Sequence, residues 1–227
     1  MSTPLAPTEG EAVLHLFAKV NPGADGEALV AAVKAAEADG QQVVPVALLG
    51  HKADLALMGI GPDWTRLRRL QTAVEHAGLE VVDSYVSLTE VSEYAKGMPA
   101  EHLKTRLHPV LPPEGMRAFC FYPMSKRRGE SDNWYTLEFD ARKALMLDHG
   151  RTGRRYAGRI VQLITGSTGL DDFEWGVTLF GTHPDDIKDC VYTMRFDEVS
   201  ARYAVFGRFY VGVIDPIETV AAAVGLA

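Results

Sequence analysis

Hydrophobic residues recur along this chain with two periods, 2 and 3.6, and the same succession of periods occurs twice. The first half opens with a strand pattern, AVLHLFAKV at 12–20, then a turn at Asn21-Pro22-Gly23 and a helix pattern over 26–38. Gly40 ends that helix, and strand patterns follow at 43–50 and 54–60. Pro62 and Asp63 open a second helix, 63–77, which Gly78 stops because glycine accepts the left-handed turn after a helix end. A closing strand spans 79–88. The second half repeats the order: a strand at 117–124, a mainly helical stretch at 137–156, strands at 159–167 and 173–180, a helix at 184–196 and a final strand at 203–214. Each half therefore reads β-α-β-β-α-β, the ferredoxin-like pattern.

A linker containing prolines and glycines, 91–116, separates the halves, and 1–10 and 216–227 read as tails. Each unit, 11–90 and 117–215, leaves one open sheet face, so packing the two sheets together buries both. The expected fold class is α+β, two ferredoxin-like halves packed as a dimeric α+β barrel. Such an architecture hosts many unrelated sites and does not define an activity.

Composition narrows the field. Of 227 residues, 47% are hydrophobic and 23% charged, which suits a protein with a sizeable core. A formal net charge of −7 argues against nucleic-acid binding, which normally shows a basic face. No apolar run reaches the roughly 20 residues needed to cross a bilayer. MSTPLAPTEGE at the start lacks the basic stretch and apolar core of a signal peptide. Two isolated cysteines, Cys120 and Cys190, form neither a metal spacing nor a disulfide framework, so a reducing cytoplasm is the simplest setting. Gly166-x-x-Gly169 lacks the lysine and helix start of a phosphate loop, and no nucleophile–base triad or zinc-ligand cluster is visible.

The unusual runs lie in the second half: FYPMSKRRGESDNWYTL (121–137), LMLDHGRTGRRYAGRIVQLITGSTGLDDFEWGVTLF (145–180) and MRFDEVSARYAVFGRFYVG (194–212). Over about 104–214 the chain resembles the chlorite dismutase superfamily of haem proteins, and within it the coproheme decarboxylase branch. In the first half the resemblance rests on the repeated element order. It implies Fe-coproporphyrin III (coproheme) as both substrate and cofactor, hydrogen peroxide as co-substrate and haem b as product. It also implies a homopentamer and transient contact with the coproporphyrin ferrochelatase.

The resemblance assigns roles residue by residue. His149, late in a helix and followed by Gly150, matches the proximal iron ligand; neutral imidazole is a common axial ligand to haem iron. The other histidines, His15, His51, His76, His102, His108 and His183, have no such context and read as structural or solvent-facing. Gln162, thirteen residues on, matches the distal position where chlorite-degrading members carry arginine. A cation there would hold an anionic oxychlorine species, whereas a neutral amide only hydrogen-bonds, so Gln162 argues against chlorite dismutation. Tyr122 in YPMSK matches the catalytic tyrosine, a phenol able to become a radical and relay oxidation to a propionate. Trp134 is a secondary oxidisable residue or simply packs beside the porphyrin.

Four propionates need cationic and hydroxyl partners. Lys126 can bind a carboxylate and supply a proton. Arg106 matches a propionate-binding arginine, although its spacing to Tyr122 is two residues longer than in the family. Ser200 matches a propionate-contacting hydroxyl, and Met124 with the Pro123 and Ser125 backbone would line the same edge. Arg154 and Arg195 suit either propionates or ordinary ion pairs. Two rivals stand beside this reading: a chlorite dismutase or general haem peroxidase, and a non-enzymatic porphyrin carrier or sensor.

Overall fold

The computed structural model describes residues 3–95, 97 and 99–226; expectations for the remaining tail and linker positions lie outside them. The first half comprises β1 (Ala12–Val20), α1 (Gly26–Ala38), β2 (Gln42–Leu48), β3 (Leu55–Gly61), α2 (Trp64–His76) and β4 (Leu79–Thr89). Next come α3 (Ala100–Leu107), β5 (Ala118–Lys126), α4 (Phe139–Arg154), β6 (Ile160–Gly166), β7 (Trp175–Gly181) and α5 (Pro184–Met194). The chain ends with α6 (Glu198–Tyr203), β8 (Ala204–Phe206), β9 (Tyr210–Ile214) and α7 (Ile217–Ala223).

Local chemistry explains the boundaries. Asp25 and Asp63 cap α1 and α2, their carboxylates accepting from the Ala28 and Arg66 N–H groups at 3.0 and 2.9 Å. Gly40 and Gly78 follow the helix ends with φ of +84° and +86°, where a side chain would be strained.

The strands form one sheet in the order β7-β6-β4-β1-β3-β2-β9-β5-β8, and β5 also pairs with β7. Eight strands therefore close on themselves, with β8 an appendage on the end of β5. The halves meet edge to edge at two seams, Leu88 opposite Gly166 between β4 and β6, and Val46 opposite Ile214 between β2 and β9. Closure leaves no long free edge and gives every strand an inside and an outside.

Alternation then sorts the side chains. Val13, Phe17, Val44, Met58, Phe119, Phe121, Phe180 and Tyr210 fill the interior. Ala12, Leu14, Leu16 and Ala18 point outward to Leu29 and Val33 of α1 and Leu67 and Leu70 of α2. On the outer wall of the second half, Cys120, Tyr122, Val177 and Leu179 pack with Ile187 of α5.

Two expectations need correction, and the linker gains detail. The stretch 203–214 is not one strand: Tyr203 ends α6, and Gly207 breaks the run between β8 and β9. A Cβ at Gly207 would meet the Pro123 ring at 2.6 Å, and its N–H donates to the Pro123 carbonyl at 2.8 Å, so the chain leaves the sheet there. The linker, which the sequence shows only as containing prolines and glycines, carries α3 and a 3-10 turn at Glu93–Ala95. Residues 217–223 are no tail: Ile217, Val220 and Ala221, at helical spacing after Pro216, are buried and join the core beneath α1 and β2.

The docked α7 gives a test. Val220→Asp puts an unpaired carboxylate at a fully buried position and should cost about 3–5 kcal/mol, read as a lowered denaturant midpoint. An unchanged midpoint would show α7 undocked in solution.

Candidate functional site

The outer wall of the second half is set by register. Antiparallel pairing places Cys120, Leu179 and Gln162 in one row across β5, β7 and β6. The next row is Tyr122, Val177 and Ile164, and a third is Met124, Trp175 and Gly166. Side chains directly opposite one another share a face, so Tyr122, Met124 and Gln162 all look outward from the barrel. Lys126, two residues beyond Met124, continues the same face. Pro123 and Ser125 send their side chains to the other face, and only their backbone can line this wall.

Helix α4 lies on this side of the sheet beside α5 and α6, yet none of its sixteen residues is buried. Leu145 and Met146 reach the small cluster of Trp134, Val199 and Tyr203. Gln162 is exposed although it sits in the middle of the wall. α4 buries no side chain and packs on α5 and α6, and Gln162 on β6 is exposed, so neither of these two surfaces is covered by the other.

His149 is on α4, its side chain 26% exposed. Its Nδ1 donates to Asp197 Oδ2 at 2.7 Å. A carboxylate can only accept, so Nδ1 carries a proton, and in the neutral imidazole the Nε2 lone pair is left for a metal. The same Asp197 oxygen accepts the Ser200 N–H at 3.1 Å and so caps α6. One buried carboxylate thus fixes both the imidazole and the helix bearing Ser200. Among the described residues there is no group of three or more His, Cys, Asp or Glu able to hold a metal ion, so a metal at His149 would need the rest of its ligands from a bound molecule.

Tyr122 is 9% exposed, stacked on Phe209 at 4.4 Å and edge-on to Phe206 at 5.6 Å. Burial is the largest cause that pushes its phenol above the ordinary tyrosine range, while the Arg195 guanidinium pulls the other way. Arg195 itself lies 3.8 Å from the Phe206 ring centroid, a cation–π contact that places it at the phenol's edge.

Lys126 is 8% exposed, its ammonium 4.5 Å from the Trp134 ring centroid. Burial lowers its pKa to about 8, against the opposing pull of Asp197 and Glu174. The Glu174 carboxylate also accepts the Lys126 backbone N–H at 2.7 Å. Trp134 is buried by packing against Tyr203 at 5.3 Å, beneath the lysine.

Arg106 stands apart. It is exposed on the last turn of α3, without a hydrogen bond or ion pair to the other candidates among the described residues. The Thr89 hydroxyl donates to the Leu107 carbonyl at 2.8 Å, which hangs α3 at the barrel end where Glu90, Gly166 and Trp175 meet. Arg154 is also exposed.

Two residues were missed in the sequence. Asp197 carried a readable signal, an acidic residue three before Ser200 at the start of a short helical run. Glu174 carried none, because its role depends on the end of β5 lying beside it. The remaining histidines agree with their sequence reading where the structure is specific. His15 lies inside the barrel, 3.1 Å from the Thr178 hydroxyl, and burial lowers its pKa to about 3; His108 pairs with Glu11 at the surface.

With this geometry in place, relatives can be compared. Residues 24–215 match the family model described as Chlorite dismutase, and the chain belongs to that family. It is 47% identical over 184 residues to a coproheme decarboxylase from Staphylococcus carnosus (strain TM300), covering 76% of this chain and 72% of that one. It also superposes on a heme-binding protein from Thermus thermophilus with a TM-score of 0.84 at 37% identity over all of both chains. A chlorite dismutase variant from Candidatus Nitrospira defluvii gives a TM-score of 0.75 at 19% identity over 96% of each chain, a likeness of fold alone.

The buried lysine yields a pH test. Its folded pKa lies below the unfolded value of 10.5, so the cost of burying its charge is fully present below about pH 8 and disappears as pH rises to 10.5. Lys126→Met should therefore stabilise the porphyrin-free protein at pH 7 by on the order of 3 kcal/mol, with the gain gone near pH 10.5. Equal gains at both pH values in urea titrations would mean the ammonium is not desolvated.

Proposed function

We propose that this protein converts Fe-coproporphyrin III into haem b, decarboxylating two propionates to vinyl groups at the expense of hydrogen peroxide. The observation that carries the reading is the pairing of His149, its Nδ1 anchored by Asp197, with an outer wall that presents Tyr122 and Gln162. The residues fit an iron porphyrin: an imidazole whose Nε2 is free when the ring is neutral, an apolar wall that is open at Gln162, and cations at its margins. No helix among the described residues is long and apolar enough to cross a membrane, and the reading takes the chain as cytoplasmic.

For each propionate, R–CH2–CH2–COOH and one H2O2 give R–CH=CH2, CO2 and two waters. The bound iron porphyrin supplies the oxidising capacity of peroxide, which is the cofactor's chemistry rather than the protein's. His149 holds the iron. Its anchored Nδ1–H fixes the ring orientation and raises its basicity as a ligand. Tyr122 then works as a hydrogen-atom carrier. Burial keeps it a phenol, so electron and proton leave together, and the oxygen radical takes a hydrogen from the propionate β-carbon. Phe206 and Phe209 clamp the ring in position, which is the protein's main means of choosing the reacting carbon.

Lys126, titrating near 8, can exchange a proton close to neutral pH and pair with a carboxylate. Ser200 and Arg106 complete the set of carboxylate partners, with Arg195 beside the phenol; Met124 and the Pro123 and Ser125 backbone line the edge. Gln162 would offer a neutral hydrogen bond from the β6 wall to a bound group. The reading also takes the working form as a homopentamer that receives its porphyrin by transient contact with the coproporphyrin ferrochelatase. Tyr192 and Phe196, 62% and 73% exposed and 5.2 Å apart, are apolar surface that such contacts would cover.

The direct experiment is a mass-resolved peroxide titration of the coproheme complex. Wild type should lose two carboxyl groups in steps, while Tyr122→Phe should bind coproheme and release no CO2. Binding without turnover in the wild type would make the protein a carrier, and peroxide consumption with an intact porphyrin would make it a general peroxidase.

Asp197 separates ligation from folding. Asparagine also caps helices well, so Asp197→Asn should change stability by less than about 1 kcal/mol. It should nevertheless weaken coproheme binding roughly 10–100-fold in a spectroscopic titration, because the anionic partner of His149 is lost. Unchanged affinity would show that the carboxylate does not support iron ligation.

A further inference from the structure

Both cysteines of the chain lie on the side of the sheet that carries Tyr122. Cys120 precedes it by two residues on β5, so alternation puts thiol and phenol on one face, in one cluster with Val177, Leu179 and Ile187. Cys190 lies three residues after Ile187, on the buried side of α5, the helix that packs over β5 and β7. Both are free and buried, and the charge each could carry acts on the Tyr122 phenol. Nothing in the decarboxylation uses them.

We propose that Cys120 and Cys190 are hydrogen-atom donors that return an oxidised Tyr122 to its phenol when no propionate hydrogen is in reach, as after the last decarboxylation. The inference rests on the reading of Tyr122 as the oxidised phenol. In the step, the cysteine S–H bond breaks and the tyrosine O–H bond forms. Tyrosine is reduced by one electron and one proton, and the sulfur becomes a thiyl radical. One peroxide drives two such events: H2O2 and two Cys–SH give two Cys–S• and two waters.

The surroundings favour this route over direct attack by peroxide. Peroxide oxidises thiolates, and burial pushes Cys120 up to about 12 and Cys190 upward as well, so both stay protonated. A protonated thiol resists nucleophilic oxidation yet still carries a transferable hydrogen. Cys120 also sits in the same row as Gln162, on the wall the porphyrin would cover.

The test uses whole protein loaded with haem b, which lacks the two reactive propionates, treated with peroxide and a nitroso spin trap and then peptide-mapped by mass spectrometry. Trap adducts should appear on the peptides containing Cys120 and Cys190. They should fall roughly tenfold or more in Tyr122→Phe and be absent when porphyrin-free protein meets the same peroxide, since a buried thiol is not oxidised directly. In the double variant Cys120→Ala, Cys190→Ala, single-turnover coproheme decarboxylation should stay within about twofold of wild type. Its tyrosyl signal in the haem b complex, read by electron paramagnetic resonance, should last longer. Adducts of equal yield in Tyr122→Phe, no adducts in wild type, or an unchanged tyrosyl lifetime overturns the thiol role. If decarboxylation of coproheme remains Tyr122-dependent in that case, the decarboxylase reading stands; if decarboxylation proceeds normally in Tyr122→Phe, both fall.

Discussion

The pairing of β5 with β7 is the constraint on which the rest depends. It closes the barrel, and closure gives β5 one face that must be packed from within and one that must be covered from without. Phe119 and Phe121 take the inner face, the Phe121 ring tilted against His15 and Phe17 and the Phe119 ring edge-on to Phe180. Cys120, Tyr122, Met124 and Lys126 are left for the outer face. A one-residue slip would exchange these sets and move the phenol into the barrel. Fold and site are thus specified by the same register.

Most of that register was legible in the sequence. The six elements of the first half were read to within a residue or two, because caps such as Asp25 and Asp63 and stops such as Gly40 and Gly78 act locally. The second half failed where local signals conflict with tertiary ones. YAVFGRFYVGVI looks like a single strand by period 2, but the approach of Pro123 to Gly207 breaks it, and no local pattern reports that contact. Helix α7 was passed over because a short alanine-rich end has little amphipathic signal until the face of α1 that receives it is known.

The candidate site divides in the same way. His149, Tyr122 and Gln162 lie in distinctive runs, and the fold brings them to one side of the barrel. Asp197 shows what a motif leaves out: its capping signal was local, but its hold on His149 depends on the crossing of α4 and α6. Arg106 is a residue matched by sequence whose helix attaches at the margin through Leu107, apart from the other candidates.

Helix α4 carries an implication of its own. A helix with no fully buried side chain contributes little to global stability and opens locally at small cost. On the proposed reading, a guest beneath it would be gripped by its metal bond and its acid groups rather than by an enclosing core. On the proposed reaction, each turnover erases one of those acid groups, so the chemistry progressively loosens its own grip. The finished molecule, more apolar and less anchored, would then depart through the wall least bound to the rest of the fold.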